Sequence, residues 1–395
     1  MTEFDIVIYG VSGFAGKLVA EYMVRYAPKD LAWAAAGRDE AKVRAALDDV
    51  GAASSVPVIV ADSNDVESLH KMAKATRVVC STVGPYARYG SGLVAACVDE
   101  GVDYCDLTGE VHWMRRMIDR HHERAEESGA RIVHTCGFDS IPSDLGNLFV
   151  QDAFKRKFGR YASEVRFYLK VAKGGFSGGT VASMLNLMEE ASENKEVRRI
   201  LVNPYSLSPG DKGPDGRDRM GAEHDARVGQ WTAPFLMGSV NTRVVRRSNF
   251  LMDHVWGENF SYDERMLTGK GPKGAIAAGS ISAGMVGFTG VAAIGPTRNL
   301  LSKFLPKPGE GPTPEQIEKG FYEVLFVAKD GDDELQAKVA GKKDPGYGAT
   351  ALMLAESAME LAQTEGNGGV LTPASSMGEG LIQRLQSAGM VFEVL

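Results

Sequence analysis

The chain has 395 residues, a formal net charge of −7 and 44% hydrophobic residues. That is more than one ordinary core holds and points to about two domains, and the mild acidity argues against a nucleic-acid binder. Cys80, Cys97, Cys105 and Cys136 form no C-x-x-C pair and read as reduced core thiols of a cytoplasmic protein, while the histidines lack chelating spacing, so no metal is expected.

The first third alternates strand and helix. "FDIVIYG" is a short apolar strand, and a helical period runs from Phe14 to Tyr26 until Pro28 stops it. "LAWAAA" is a second strand, after which Asp39 caps a helix reaching about Val50. "VPVIVA", "TRVVCST", "VDYCDL" and "ARIVHT" are further strands, with helices between them from about Asp65, from Ser91 to Glu100 and from Glu110 to Ser128. Strands that are apolar throughout, separated by helices, predict a parallel sheet covered on both faces.

The pattern changes after a helix around 145–158. "EVRFYLKV", "TRVVRRS", "YEVLFVAK" and "LQAKVAG" alternate like half-exposed strands, and "DGDDE" reads as a hairpin turn joining the last two. A polar stretch over 203–230 is too long for a simple connection and reads as a mobile segment or a lid. "YGATALMLAESAMEL" reads as an amphipathic helix. The fold class is α/β: a Rossmann-type doubly wound parallel sheet over 1–144, a second α/β domain on a mixed or antiparallel sheet over 145–343, and a C-terminal segment over 344–395. One stretch, 274–297, carries no charge but is mostly Gly, Ala and Ser. A buried helix pair and a lipid or peripheral membrane contact both stand open for it.

Gly10, Gly13 and Gly16 follow the first strand and open a helix, the arrangement that holds a dinucleotide pyrophosphate on a helix N-terminus. Ser12 can add a hydroxyl to a phosphate or cap the helix. At the end of the second strand, where an NAD enzyme places an acidic residue for the ribose diol, the chain has Gly37 and then Arg38. Arginine there fits the 2′-phosphate of NADP(H); a solvated surface residue is the bland reading. "STVGPYARYG", "DLTGEVHW" and "HTCGFDSIPSDLG" follow three strands and gather polar groups where the hydride should pass. Gly84 and Gly109 let backbone crowd a nicotinamide ribose. Tyr86, Asp106 and Asp139 are the candidates for proton handling or substrate orientation, although Tyr86 could be packing and Asp106 and Glu110 could be capping groups. Ser143 reads as a helix cap; Thr108, His112 and Ser140 are further polar groups near the hydride position, with solvent exposure as the bland reading of His112. No tyrosine has a lysine four residues on, so the Tyr-x-x-x-Lys mechanism of short-chain reductases is not expected.

Together, "YGVSGFAG", "AGRDEAKV", "STVGPYARYG", "GVDYCDLTGE", "HTCGFDSIPSDLG", "WTAPFLM" with "VVRRSN", and "GYGATALMLAESA" resemble the saccharopine dehydrogenase-like family, and within it the bacterial trans-acting enoyl reductases. The resemblance runs over nearly the whole chain. It implies that the 344–395 segment returns to pack on the first domain, and NADPH chemistry, with Gly10, Ser12, Gly13, Phe14, Gly16, Arg38 and Gly84 as cofactor contacts. The expected reaction is hydride transfer to an enoyl bond of a lipid-like or carrier-bound substrate. A saccharopine-type amino-acid reductase and a non-catalytic NADP-loaded lipid-surface protein stand as alternatives, and a homodimer is left open.

Overall fold

In the computed structural model, residues 2–174, 178–293, 295, 297 and 311–395 are described. The first domain begins with β1 (Phe4–Tyr9), α1 (Phe14–Tyr26), β2 (Trp33–Gly37), α2 (Glu40–Asp49), β3 (Val58–Val60), α3 (Val66–Lys74) and β4 (Thr76–Ser81). A short turn of helix, α4 (Tyr86–Tyr89), leads into α5 (Ser91–Glu100), β5 (Asp103–Asp106), α6 (Val111–Ser128) and β6 (Arg131–Val133). Asp39 starts α2 as its composition suggests, its carboxylate accepting from the Lys42 amide at 3.1 Å, and Asp65 does the same for α3 at Glu67. Gly101 and Gly129 end α5 and α6 in the left-handed conformation that β-carbons disfavour.

The strands pair in parallel as β3-β2-β1-β4-β5-β6, the doubly wound order, and one further strand, β13 (Gly369–Leu371), extends the sheet beside β6. Alternation in β1 sends Ile6 and Ile8 to one face and Val7 and Tyr9 to the other, and all four are buried. A late helix, Thr350–Gln363, covers the Ile6/Ile8 face. It packs on α1, β1, β4 and β5. The sequence suggested an amphipathic helix here; instead every residue from Thr350 to Ala362 is buried, because the helix lies between the first sheet and the elements behind it.

The second domain carries α7 (Ile141–Phe158), β7 (Glu164–Lys173), α8 (Gly178–Glu193), α9 (Lys195–Val202), β8 (Glu223–Asp225), β9 (Gln230–Pro234), α10 (Gly238–Leu251), β10 (Ser261–Gly269) and α11 (Gly271–Ala293). Then follow α12 (Pro314–Glu318), β11 (Phe321–Asp330), β12 (Asp333–Lys342), the Thr350–Gln363 helix as α13, β13, α14 (Pro373–Ser376), α15 (Gly378–Ser387) and β14 (Val391–Val394). Its seven-stranded sheet runs β14-β12-β11-β7-β10-β9-β8, antiparallel except for the parallel β7–β10 pair. The "DGDDE" turn joins β11 to β12 as expected. The closing residues are shared: β13 completes the first sheet, and β14 pairs with β12 in the second.

Three expectations fail. "TRVVRRS" is not a strand; it lies inside α10, where residues 240–249 are all buried. The polar stretch over 203–230 is not a loose connection: 203–218 form a strap fastened by the arginines of that helix, and β8 and the start of β9 take up residues 223–225 and 230. Arg246 pairs with Asp215 at 2.7 Å and donates to Pro204 O, Arg243 pairs with Asp218 and donates to Leu201 O, and Arg247 donates to Leu207 O and Val370 O. Finally, 274–297 forms no buried helix pair among its described residues. Its residues 274–293 belong to the single helix α11, which packs on β9 and β10 through the stripe Gly274, Ala278 and Ser282 and leaves Ile276 at 70% and Val286 at 58% exposure. The last residues of that stretch fall partly outside the described ones.

Candidate cofactor and active site

The C-terminal edge of the parallel sheet gathers almost every residue singled out above. Gly10 ends β1 with φ +100°, a conformation that L side chains rarely adopt, and a β-carbon on it would press on Thr82 Oγ1 and Val83 Cγ2 at 2.7 Å. The Gly13 amide donates to Gly10 O at 2.9 Å and closes the turn. Gly16 faces that same carbonyl so closely that a β-carbon would overlap it. Gly10 and Gly16 are therefore required by close approach, whatever else they do, while a β-carbon on Gly13 would stand 3.3 Å from Gly10 O. What the turn then offers is chemical: α1 has no side-chain cap and no acidic residue in its first turn. The amides of Phe14, Ala15 and Gly16 have no acceptor within the helix, so they and the helix dipole face an anion-binding position. Ser12 is exposed beside it, and Phe14 is fixed edge-on against Tyr347 with ring centres 5.0 Å apart.

At the end of β2, the space that an acidic side chain at Gly37 would need is taken: its β-carbon would lie 2.8 Å from Val43 Cγ2. Arg38 is exposed, and among the described residues nothing bonds or pairs with its guanidinium. Its neighbour Asp39 is spent on the α2 cap. A cationic group left without a partner, one residue beyond the strand that flanks the glycine turn, fits the 2′-phosphate of NADP(H).

Two of the three proton-handling candidates are committed elsewhere. Tyr86 is buried, stacks on Trp113 at 5.5 Å and donates its hydroxyl to Ser81 O at 3.0 Å; burial, with the Asp106 carboxylate behind it, raises its pKa well above the usual phenol value. Asp106 accepts from Tyr104 OH (3.0 Å), the Thr108 and Thr135 amides (both 3.1 Å) and His134 Nδ1 (2.8 Å). It ties the ends of β5 and β6 together. Glu110 does not cap α6; it accepts from the Tyr86 amide at 2.8 Å, the Ala87 amide at 2.9 Å and Ser183 OH at 2.9 Å, so it starts α4 and anchors α8.

Asp139 differs. It is half-buried in the loop after β6, no hydrogen bond holds its carboxyl among the described residues, and burial pushes its pKa up to about 6. One carboxylate oxygen lies 3.8 Å from where a β-carbon on Gly109 would stand, and Met237 Cε and Val240 Cγ2 lie 3.5 and 3.9 Å from the same point. A protonatable acid thus faces an apolar wall across a glycine. A β-carbon on Gly84 would meet only ordinary contacts, the Tyr86 ring at 3.4 Å and Ser183 Oγ at 3.8 Å, so no packing demand explains that glycine.

Other assignments change. His112 is buried rather than solvent-facing; its Nε2 lies 3.4 Å from Glu190 of α8, and burial lowers its pKa to about 4. The N-cap position of α7 is Ser140, and Ser143 lies inside the helix. Sequence reasoning missed Met237, Val240, Asn241 and Ser183, which approach this edge from the second domain; an isolated residue a hundred positions away carries no local signal. Among the described residues no cluster of metal-ligating side chains occurs.

Residues 6–133 match the family description "Saccharopine dehydrogenase NADP binding domain". A protein of Mycobacterium tuberculosis described as a candidate trans-acting enoyl reductase is 41% identical over 406 residues, covering 98% of this chain and 96% of its own length. A trans-acting enoyl reductase of Mycobacterium bovis is 38% identical over 411 residues, covering 98% and 97%. Among solved structures, the apo saccharopine dehydrogenase (L-Glu forming) of Saccharomyces cerevisiae superposes with a TM-score of 0.55 at 13% identity, covering 99% of this chain and all of the other. At that identity the likeness concerns the fold.

Proposed function

The chain belongs to the saccharopine dehydrogenase-like oxidoreductases, in the branch of the trans-acting enoyl reductases, and from that premise we propose that it reduces the C=C bond of a lipid-like or carrier-bound enoyl substrate with NADPH. Bound NADPH supplies the hydride that adds at the β-carbon. The glycine turn and the α1 amides hold the pyrophosphate, and Arg38 pairs with the 2′-phosphate. Met237 and Val240 form the apolar side of the cleft, where an acyl chain is desolvated and water is kept from the reacting carbons. Asp139, with a pKa near 6, is protonated often enough at neutral pH to deliver the proton to the α-carbon, so that hydride and proton together saturate the bond.

The observation that carries this reading over an amino-acid reductase is the fate of the arginines. A polycarboxylate substrate needs free guanidinium groups in its pocket. Arg243, Arg246 and Arg247 are buried in α10 and spent on the strap and on backbone carbonyls. The side of α10 beside Asp139 presents Met237 and Val240 instead. The test offers the protein NADPH stereospecifically deuterated at C4 with a medium-chain trans-2-enoyl thioester. Deuterium at C3 of the saturated product supports the reading. Turnover with an amino acid and a keto acid, and none with the enoyl thioester, overturns it.

The same reading gives α11 a use. It is long and apolar enough to cross a membrane, yet one narrow stripe of it is already committed to β9 and β10. A helix held that way lies along a lipid surface rather than through it, with Lys270 and Lys273 at its start set against anionic headgroups. The cleft would then receive its greasy substrate from that surface.

A further inference from the structure

The loop that carries Asp139 is held at three points. The Cys136 amide donates to Asp106 O at 2.7 Å, and the Phe138 amide donates to Thr350 Oγ1 at 3.0 Å. On the far side of Asp139, the Ser140 hydroxyl donates to Asn241 Oδ1 at 3.0 Å. The first two anchors come from β5 and from α13, which packs on the first sheet. The third comes from α10 of the second domain, and it continues: Asn241 Nδ2 donates to Glu264 Oε2 at 2.9 Å, and Tyr262 OH donates to Glu264 Oε1 at 2.8 Å. Ser140, Asn241, Tyr262 and Glu264 are all buried.

Each member of this chain has a defined part. An amide side chain can be turned either way, donor for acceptor, and only its partners decide. Glu264 accepts through both oxygens, from Asn241 Nδ2 and from Tyr262 OH, so it fixes Asn241 with the NH2 toward β10 and the carbonyl toward Ser140. Ser140 must then donate, which holds the backbone just after Asp139. Burying a carboxylate is costly, and burial pushes the Glu264 pKa up to about 7. An apolar residue would have packed there more cheaply.

We propose that the Ser140–Asn241–Glu264 bridge is a positioning device that aims the Asp139 carboxyl at the reacting α-carbon. This inference rests on the enoyl reductase reading and deepens it. Asn241 and Glu264 touch neither cofactor nor substrate; they act through Ser140. Because the bridge ties the loop after β6 to α10, the acid is in place only when α10 is docked, the same helix whose Val240, with Met237 at its start, forms the apolar wall.

The experiment compares S140A, N241L, E264L and E264Q in NADPH oxidation with the enoyl thioester, across pH, alongside thermal unfolding and the 13C carboxyl titration of Asp139 in the free protein. N241L and S140A are expected to lower kcat about tenfold, the worth of one hydrogen bond near 1.4 kcal/mol, with KM for NADPH unchanged. Both should also displace the Asp139 titration from the wild-type value. E264L should behave like N241L, and E264Q, which can still accept from Asn241, should restore most of the lost kcat. Variants that lower only the melting temperature, while kcat, pH profile and the Asp139 titration stay those of wild type, overturn the bridge. Should N241L and E264L fail to fold, S140A, the loss of a single hydroxyl, decides alone. Wild type that turns over no enoyl thioester refutes the functional reading instead; the Asp139 titration then still judges the bridge.

Discussion

Removing the Arg38 guanidinium isolates cofactor choice from everything else in the fold. Among the described residues it bonds to nothing, so Arg38→Ala breaks no internal contact and should leave the melting temperature within the small range of ordinary surface substitutions. Whatever is lost is lost in binding. A charge-assisted hydrogen bond to a phosphate contributes about 1.5–3 kcal/mol, which corresponds to roughly a ten- to hundredfold weaker Kd. The site is exposed, so the effect should fall toward the lower part of that range and shrink as salt rises. NADH lacks the 2′-phosphate, and its affinity should not change. Fluorescence titration of both cofactors against wild type and R38A, at two ionic strengths, measures the effect. Equal wild-type affinity for the two cofactors, or an unchanged ratio in the variant, would refute the assignment. The reverse design is less simple than the sequence suggests. Gly37→Asp supplies a carboxylate for the ribose diol, but its β-carbon would stand 2.8 Å from Val43 Cγ2. A gain in NADH affinity should therefore need a smaller residue at 43 as well.

The pKa near 6 at Asp139 sets a pH dependence: if its acid form delivers the proton, kcat falls as pH rises above about 6, and Asp139→Asn abolishes that limb together with most of the activity. Stability moves with the same sign. A carboxyl whose pKa is raised by folding favours the fold most below its unfolded value, and that contribution is lost as pH rises through the folded pKa, so D139N should gain stability over wild type above about pH 6 in denaturant titrations. Arg246→Ala removes the ion partner at 2.7 Å from the half-buried Asp215, which keeps the Tyr205, Ser261 and Tyr262 donors, and unties the strap. A loss of about 3–5 kcal/mol is expected, with early proteolysis within 203–218; cleavage and melting like those of wild type would show the strap holds without it. For α11, sedimentation with vesicles containing phosphatidylglycerol should pull down wild type but not the I276K/V286K double variant, and equal binding of the two would remove the lipid role from this helix.

The first sheet was legible because its strands are apolar throughout and its helices carry Asp39 and Asp65 as local caps, signals that sit within a few residues of what they govern. The glycine turn was legible for the same reason. The errors share the opposite cause. "TRVVRRS" alternates like a strand because the arginines of α10 are buried, and a helix buried on all sides has no polar stripe to betray it. What did mark it was the spacing of Arg243, Arg246 and Arg247, which a helix places on one side and a strand does not. The strap looked loose because its fasteners lie 25 to 42 positions away in the chain. At the cleft, sequence could gather candidate acids at three strand ends but not rank them. Their ranking comes from which polar atoms are already engaged: four partners for Asp106, a backbone carbonyl for Tyr86 and, among the described residues, none for Asp139.

The division of the last residues between two sheets has a temporal side. During synthesis, β1 to β6 emerge first, but the edge of β6 stays open until β13, more than two hundred residues later, leaves the ribosome. The same wait applies to α13, which covers the Ile6/Ile8 face, and to β14 at the rim of the second sheet. An early dinucleotide-binding half thus stands with an unpaired strand and a bare apolar face for most of translation, the kind of surface chaperones hold. A ribosome stalled anywhere before residue 350 would present both, and neither half of the molecule is finished ahead of the other.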